Sequence, residues 1–139
     1  MKPEVFNLLV GLGFLAVFPL WWSLVLWMIS RIGGWASLAG KYAAGRRPEG
    51  VNYSWRSMRI SPLMGYNNCL EVTLSREGIF MVPFVLFRAG HRPLLIPWSC
   101  IGSLEEGRAR SCYFPIEAAG RKARLWVPCS AREWMRANR

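Results

Sequence analysis

Between Val5 and Ser30 the chain carries no Asp, Glu, Lys, Arg or His, and most of the run is Leu, Val, Phe, Trp, Ile and Met. At about 1.5 Å of rise per helical residue, such a run crosses the ~30 Å hydrocarbon core of a bilayer with a turn or two to spare. A cleavable signal has an apolar region of about 7–15 residues and then a small-x-small site. Here the run is longer, holds the bulky Trp21, Trp22 and Trp27, and ends Trp27-Met28-Ile29-Ser30-Arg31 without such a site. Ala36 and Ala39 come later and lack Ala-x-Ala spacing. Residues 1–30 are therefore predicted to be a retained transmembrane anchor, held by Trp21, Trp22 and Trp27. Pro19 removes one hydrogen bond within the run and is expected to kink it. Gly11, Gly13, Ala16 and Ser23 make a partial small-residue face, without the four-residue glycine spacing of the helix-dimer motif.

Beyond Arg31 the chain is too charged and too interrupted by Gly and Pro for a second span, so the rest must form a domain held at a membrane surface. Before the run stands Lys2, offset by Glu4; after it come Arg31, Lys41, Arg46 and Arg47. Because a Lys/Arg excess stays cytoplasmic, the expectation is a single-pass protein of the inner (plasma) membrane with its C-terminal domain in the cytoplasm. The net charge of +10 comes from fifteen Arg, three Lys and eight Glu, with no Asp. Those charges are scattered, and no recognition-helix or aromatic RNA-binding signature accompanies them, so nucleic acid is not the expected partner. The nearer polyanion is an anionic leaflet, which attracts juxtamembrane basic residues by ~1 kcal/mol each. Arg31, Trp35, Lys41, Arg46 and Arg47 are the predicted membrane-surface contacts, Trp35 because amphipathic rings favour the headgroup layer. Cys69, Cys100, Cys112 and Cys129 lie 31, 12 and 17 positions apart in apolar surroundings. In a reducing cytoplasm they read as small buried hydrophobes; on the far side of the membrane one or two disulfides become plausible, which makes thiol state a proxy for topology.

Residues 31–66 read as a juxtamembrane connector. Gly33-Gly34 ends the membrane helix, and Trp35, Leu38, Ala39 and Tyr42 fall at i, i+3, i+4 and i+7 on one face of a short amphipathic helix, lying on the membrane or docked under the domain. From Asn67 the period changes to two. Leu70, Val72 and Leu74 alternate with Glu71 and Thr73 as in a half-buried strand, and Arg76-Glu77-Gly78 turns into a second strand over Ile79–Leu86. Phe84–Phe87 and Leu94–Ile101 read as a second hairpin around Arg88–Arg92, and Cys112–Glu117 with Lys122–Val127 as a third. Pro83, Pro97, Pro115 and Pro128 should mark strand ends, bulges or edges. Ser130 and Glu133 form a capping box that starts a C-terminal helix reaching about Asn138, with Trp134 packed back on the sheet. The predicted core is Leu70, Val72, Leu74, Ile79, Phe87, Leu95, Trp98, Ile101, Leu125 and Trp126 or Val127. The expected fold class is α+β: an N-terminal transmembrane helix, then a small antiparallel β-domain over residues 67–139 with a short C-terminal helix.

The stretch Leu74-Ser-Arg-Glu-Gly-Ile-Phe80 followed by Leu94-Leu-Ile-Pro-Trp98-Ser-Cys-Ile101 resembles the strand, turn and Ile-Pro-Trp/Leu-x-x-Ile framework of bacterial pleckstrin-homology and GRAM-like domains. Together with Gly34-Trp35-x-x-Leu38-Ala39-x-x-Tyr42 and Phe87-Arg-x-Gly-His-x-Pro-Leu-Leu-Ile-Pro-Trp98, it is also similar to a set of uncharacterised bacterial single-pass membrane proteins. The resemblance covers most of residues 33–101 and implies a PH/GRAM-like fold. The Lys/Arg-x-n-Arg pattern by which phosphoinositide readers grip headgroups is not present, and fold alone transfers no function.

No catalytic, metal or cofactor site is predicted. His91 is the only histidine, there is no Asp to complete a thiol triad, and no Cys-x-x-Cys pair exists for zinc. His91 reads as a turn residue bonding loop carbonyls, and Glu105-Glu106 as a solvated turn. Two functional readings follow. One is a non-enzymatic membrane-anchored binding or scaffold module presenting a cytoplasmic PH-like domain to a protein partner or to anionic lipid headgroups. The other is an accessory or assembly subunit of a larger inner-membrane complex, with a membrane-protein partner against the span.

Overall fold

A computed structural model of the chain describes residues 1–60 and 65–138. A helix α1 spans Pro3–Gly33 and runs through Pro19 without a break. It is long and apolar enough to cross a membrane. It ends where Gly34 adopts φ 99°, a left-handed cap that glycine takes without steric cost. A second helix, α2 (Trp35–Tyr42), follows at once. Seven strands come next: β1 (Gly50–Arg59), β2 (Gly65–Ser75), β3 (Gly78–Pro83), β4 (Leu94–Pro97), β5 (Glu105–Glu106), β6 (Cys112–Ala118) and β7 (Arg121–Val127). A last helix, α3 (Ala131–Asn138), begins immediately after Ser130, where the capping box places it. The architecture is α+β.

The strands form one antiparallel sheet in the order β4-β3-β2-β1-β7-β6-β5. Just past β4, Ile101 bridges Ile116 of β6, so the two ends of the sheet approach each other and the sheet curls around its inner face. That face carries Met58, Leu70, Val72, Leu74, Ile79, Met81, Leu94, Ile96, Phe114, Ile116, Leu125 and Val127. Trp35 and Leu38 of α2 belong to the same core and are fully buried, so α2 is docked under the domain rather than laid on a membrane. Trp134 of α3 stacks on Trp98 with centroids 6.1 Å apart, as expected.

Several expectations need correction. The first strand is β1, inside the segment read as connector. Its inward residues switch from odd numbers, Val51 and Tyr53, to even ones, Met58 and Ile60, across register shifts between Tyr53 and Met58. No single period of two runs through it, and the alternation that betrays a strand was lost. Val85–Phe87 is a 3₁₀ turn rather than strand, and Phe87 is half-buried against Trp22. In β4 the inward residues are Leu94 and Ile96, paired with Met81 and Ile79, so Leu95 lies on the other face. Of Trp126 and Val127, Val127 is the buried one. Thr73 is buried although it faces away from the core, and Glu105-Glu106 is a two-residue edge strand with both side chains exposed.

The cysteines divide. Cys69 and Cys100 are free and partly buried, whereas Cys112 and Cys129 are joined in a disulfide. Cys112 pairs with Val127, and Cys129 follows two residues later, which brings the two Cα atoms to 5.2 Å, within bridging range. Spacing along the chain did not show this, because the strand register creates the proximity.

Candidate functional site

Arg31 is the first charged residue after the apolar run, and there the domain closes back onto α1. The loop from Pro83 to Pro93 supplies the contact. Trp22 Nε1–H donates to the Leu86 carbonyl at 2.7 Å, and the Ser30 hydroxyl donates to the Gly90 carbonyl at 2.6 Å. Gly90 has φ 71° and sits so near α1 that an added Cβ would stand 2.9 Å from Trp27 Cα. A residue with a side chain cannot make this approach without displacing the loop.

A buried polar and aromatic cluster fixes the loop from the domain side. The His91 Nδ1 lies 2.8 Å from the Ala89 carbonyl, an acceptor only, so Nδ1 carries the proton and Tyr66 O–H donates to Nε2 at 2.8 Å. Burial lowers the His91 pKa, which favours this neutral ring. Burial also raises the Tyr66 phenol pKa well above its ordinary value, so it remains a donor. The Trp35 ring meets both side chains edge-on, and its indole N–H donates to the Arg92 carbonyl at 2.9 Å. His91 is thus a turn histidine with both nitrogens committed.

Between α1, α2 and this loop lies an open cleft of about 690 Å³, lined by Trp27, Arg31, Ala36, Arg88, Arg92 and neighbouring backbone. Three guanidinium groups border it, and among the described residues no carboxylate does. Arg31 lies 5.2 Å over the Trp27 ring. Arg88 is oriented by an Nε–H bond to the Pro83 carbonyl at 2.8 Å and by Glu71 at 3.9 Å. Such a cluster suits an oxyanion, because guanidinium groups bind phosphate and carboxylate oxygens in paired hydrogen bonds.

Of the predicted surface contacts, only Arg31 lines the cleft. Trp35 is core, with none of its ring at the surface. Lys41 and Arg46 are exposed elsewhere, and Arg47 pairs with Glu71 at 2.8 Å while lying 5.7 Å over the Phe80 ring. Among the anchor residues, Trp21 and Trp27 are exposed on α1, but Trp22 is partly covered by Phe87 and bonded to the domain. Arg88 and Arg92 were missed. In the sequence Arg88-Ala-Gly-His-Arg92 has the form of a hairpin turn; its usable signal is Gly90 between two arginines, a point where backbone approaches backbone. Comparison of the chain with family models, curated proteins and solved structures returned no match in any of the three.

Proposed function

We propose that this chain is a non-enzymatic, membrane-anchored binding module whose domain engages anionic headgroups of the leaflet from which α1 emerges. The observation that carries this reading is the acid-free cleft bordered by Arg31, Arg88 and Arg92 at the end of the apolar run. A curled antiparallel sheet with a C-terminal helix supports the PH/GRAM-like assignment. The commitment of both His91 nitrogens to Tyr66 and Ala89 leaves no imidazole for acid–base work.

The domain is proposed to face the cytoplasm, since Arg31, Lys41, Arg46 and Arg47 outweigh Lys2. The Cys112–Cys129 bond argues the other way, because disulfides persist in oxidising compartments. The charge bias acts on the span as it inserts, whereas the β6–β7 register brings the two cysteines together on either side. The proposed orientation follows the charge bias, and in the cytoplasm the pair would be a dithiol able to close on oxidation.

The test is lipid retention. The full chain, extracted in mild detergent from mixed phosphatidylglycerol and phosphatidylcholine membranes, should keep phosphatidylglycerol selectively in native mass spectra. Retention should fall with added salt and in the Arg88→Gln/Arg92→Gln double variant, since exposed charges are screened over ~10 Å at 0.1 M. Equal retention of both lipids together with co-purifying membrane proteins would replace this reading with the accessory-subunit one. That alternative draws on the open surroundings of Gly11 and Gly13, which have nothing within 4 Å of an added Cβ.

A further inference from the structure

Outside α1 and Met1, the large apolar side chains that stand exposed among the described residues are Trp55 at 62%, Val85 at 73% and Leu86 at 71%. They meet at one corner, because Trp55 packs on Phe84 with ring centroids 4.1 Å apart and Phe84 leads directly into Val85 and Leu86. Trp55 reaches this corner through the irregularity in β1. Its φ of 59° is left-handed, a conformation that a bulky side chain rarely adopts and that stores strain. The strain accompanies a ring turned outward, away from the core that its neighbours Tyr53 and Met58 join.

This corner is also tied to the span. Leu86 is bonded to Trp22, the Phe87 ring lies 5.8 Å from the Trp22 ring, and Gly90 is bonded to Ser30. Residues 86–90 thus run along α1 from Trp22 to Ser30, about 12 Å along the helix axis at ~1.5 Å per residue. They cover Leu26, on the apolar side of the first charge, Arg31, and beyond Trp22 the same face of α1 continues into the exposed Phe18, whose ring stacks on Trp22, and Leu15. An indole N–H at that depth finds no water, and the Leu86 carbonyl supplies the acceptor it needs.

We infer that Trp55, Phe84, Val85 and Leu86 form a wedge that enters the acyl-chain layer of the leaflet beside α1. The domain is then held by two insertions, the span and this tip. Acyl chains are the occupant because the patch continues the exposed apolar flank of α1 and is joined to it by Trp22. The inference rests on α1 being a span and not on anion binding in the cleft.

A photoreactive benzophenone amino acid at position 86 of the full chain, reconstituted in phosphatidylcholine vesicles, tests it. The site is exposed, so the label leaves the packing intact. Covalent adducts to lipid acyl chains are expected at a yield matching a label at Leu24 in the span. They should be lost at Glu77, which lies at the far end of the β2–β3 hairpin from the tip. The yield should stay the same when phosphatidylglycerol is added, which separates this outcome from that of the headgroup reading. A yield at position 86 as low as at Glu77, or adducts only to protein, including a second copy of the chain, would overturn the wedge.

Discussion

The neutral ring of His91 makes the joint between loop and domain sensitive to acid. Its pKa is lowered in the folded state by burial, while in the unfolded chain it returns to about 6.5. The unfolded state therefore binds more protons between those two values, and stability rises with pH across that window. It is fully present above about pH 6.5 and is lost as the pH falls toward the folded-state value. Thermal unfolding of the full chain in mild detergent should shift downward between about pH 7 and pH 5, and the His91→Gln variant should show a smaller shift. Equal shifts in the two proteins would place the acid sensitivity elsewhere. Trp98 is the second residue whose role is measurable alone. It is 8% exposed, donates its indole N–H to the Ser75 carbonyl at 2.8 Å, and meets Phe114 and Trp134. Removing such a ring leaves a cavity and takes a donor away from the Ser75 carbonyl, so Trp98→Ala should cost ~3–5 kcal/mol in denaturant unfolding. A change under about 1 kcal/mol, the size of an ordinary surface substitution, would contradict its place in the core.

Elements whose signals are local were legible in the sequence, and those set by distant partners were not. Leu70, Val72, Leu74 and Ile79 announced their strands because alternation survives when a strand is regular and one face is buried. The charge-free run announced α1 by length and composition alone. The irregularity around Trp55 erased the alternation of β1, and Leu94-Leu95-Ile96 offered two registers that only pairing with Ile79 and Met81 resolves. The cleft was hidden for the same reason: Arg88 and Arg92 reach Arg31 only once the loop has folded back onto α1. Gly90 is the residue that permits this return. Its left-handed φ alone makes Gly90→Ala cost about 1–2 kcal/mol, and the clash with Trp27 adds to it. The larger effect should be positional. With the loop pushed off the helix, trypsin should cut the variant after Arg88 under conditions that leave the parent chain intact, and an unchanged digestion pattern would show that the loop does not depend on this contact.

At the scale of the whole molecule, the long apolar helix α1 and the domain form one body. α2 is buried in the domain's core and follows α1 across a single residue, while the 83–93 loop binds the side of α1. With α1 in a membrane, as proposed, the domain could not swing freely above the leaflet, and the side on which it lay would fix the chemistry of every group in it. Two signals bear on that side, the basic residues after α1 and the Cys112–Cys129 pair, and they make opposite demands. In intact cells, a membrane-impermeant alkylating reagent should fail to modify a cysteine introduced at the exposed Glu77, and modification should appear only after the membrane is opened. In the same cytoplasmic orientation, trapping thiols with an acid quench before lysis should find Cys112 and Cys129 reduced, and mild oxidant should close the bond, given the 5.2 Å Cα separation. Modification of position 77 in intact cells, with the Cys112–Cys129 bond already present at the quench, would reverse the orientation. The domain would then lie on the oxidising side, and the charge excess of Arg31, Lys41, Arg46 and Arg47 would have been overruled during insertion.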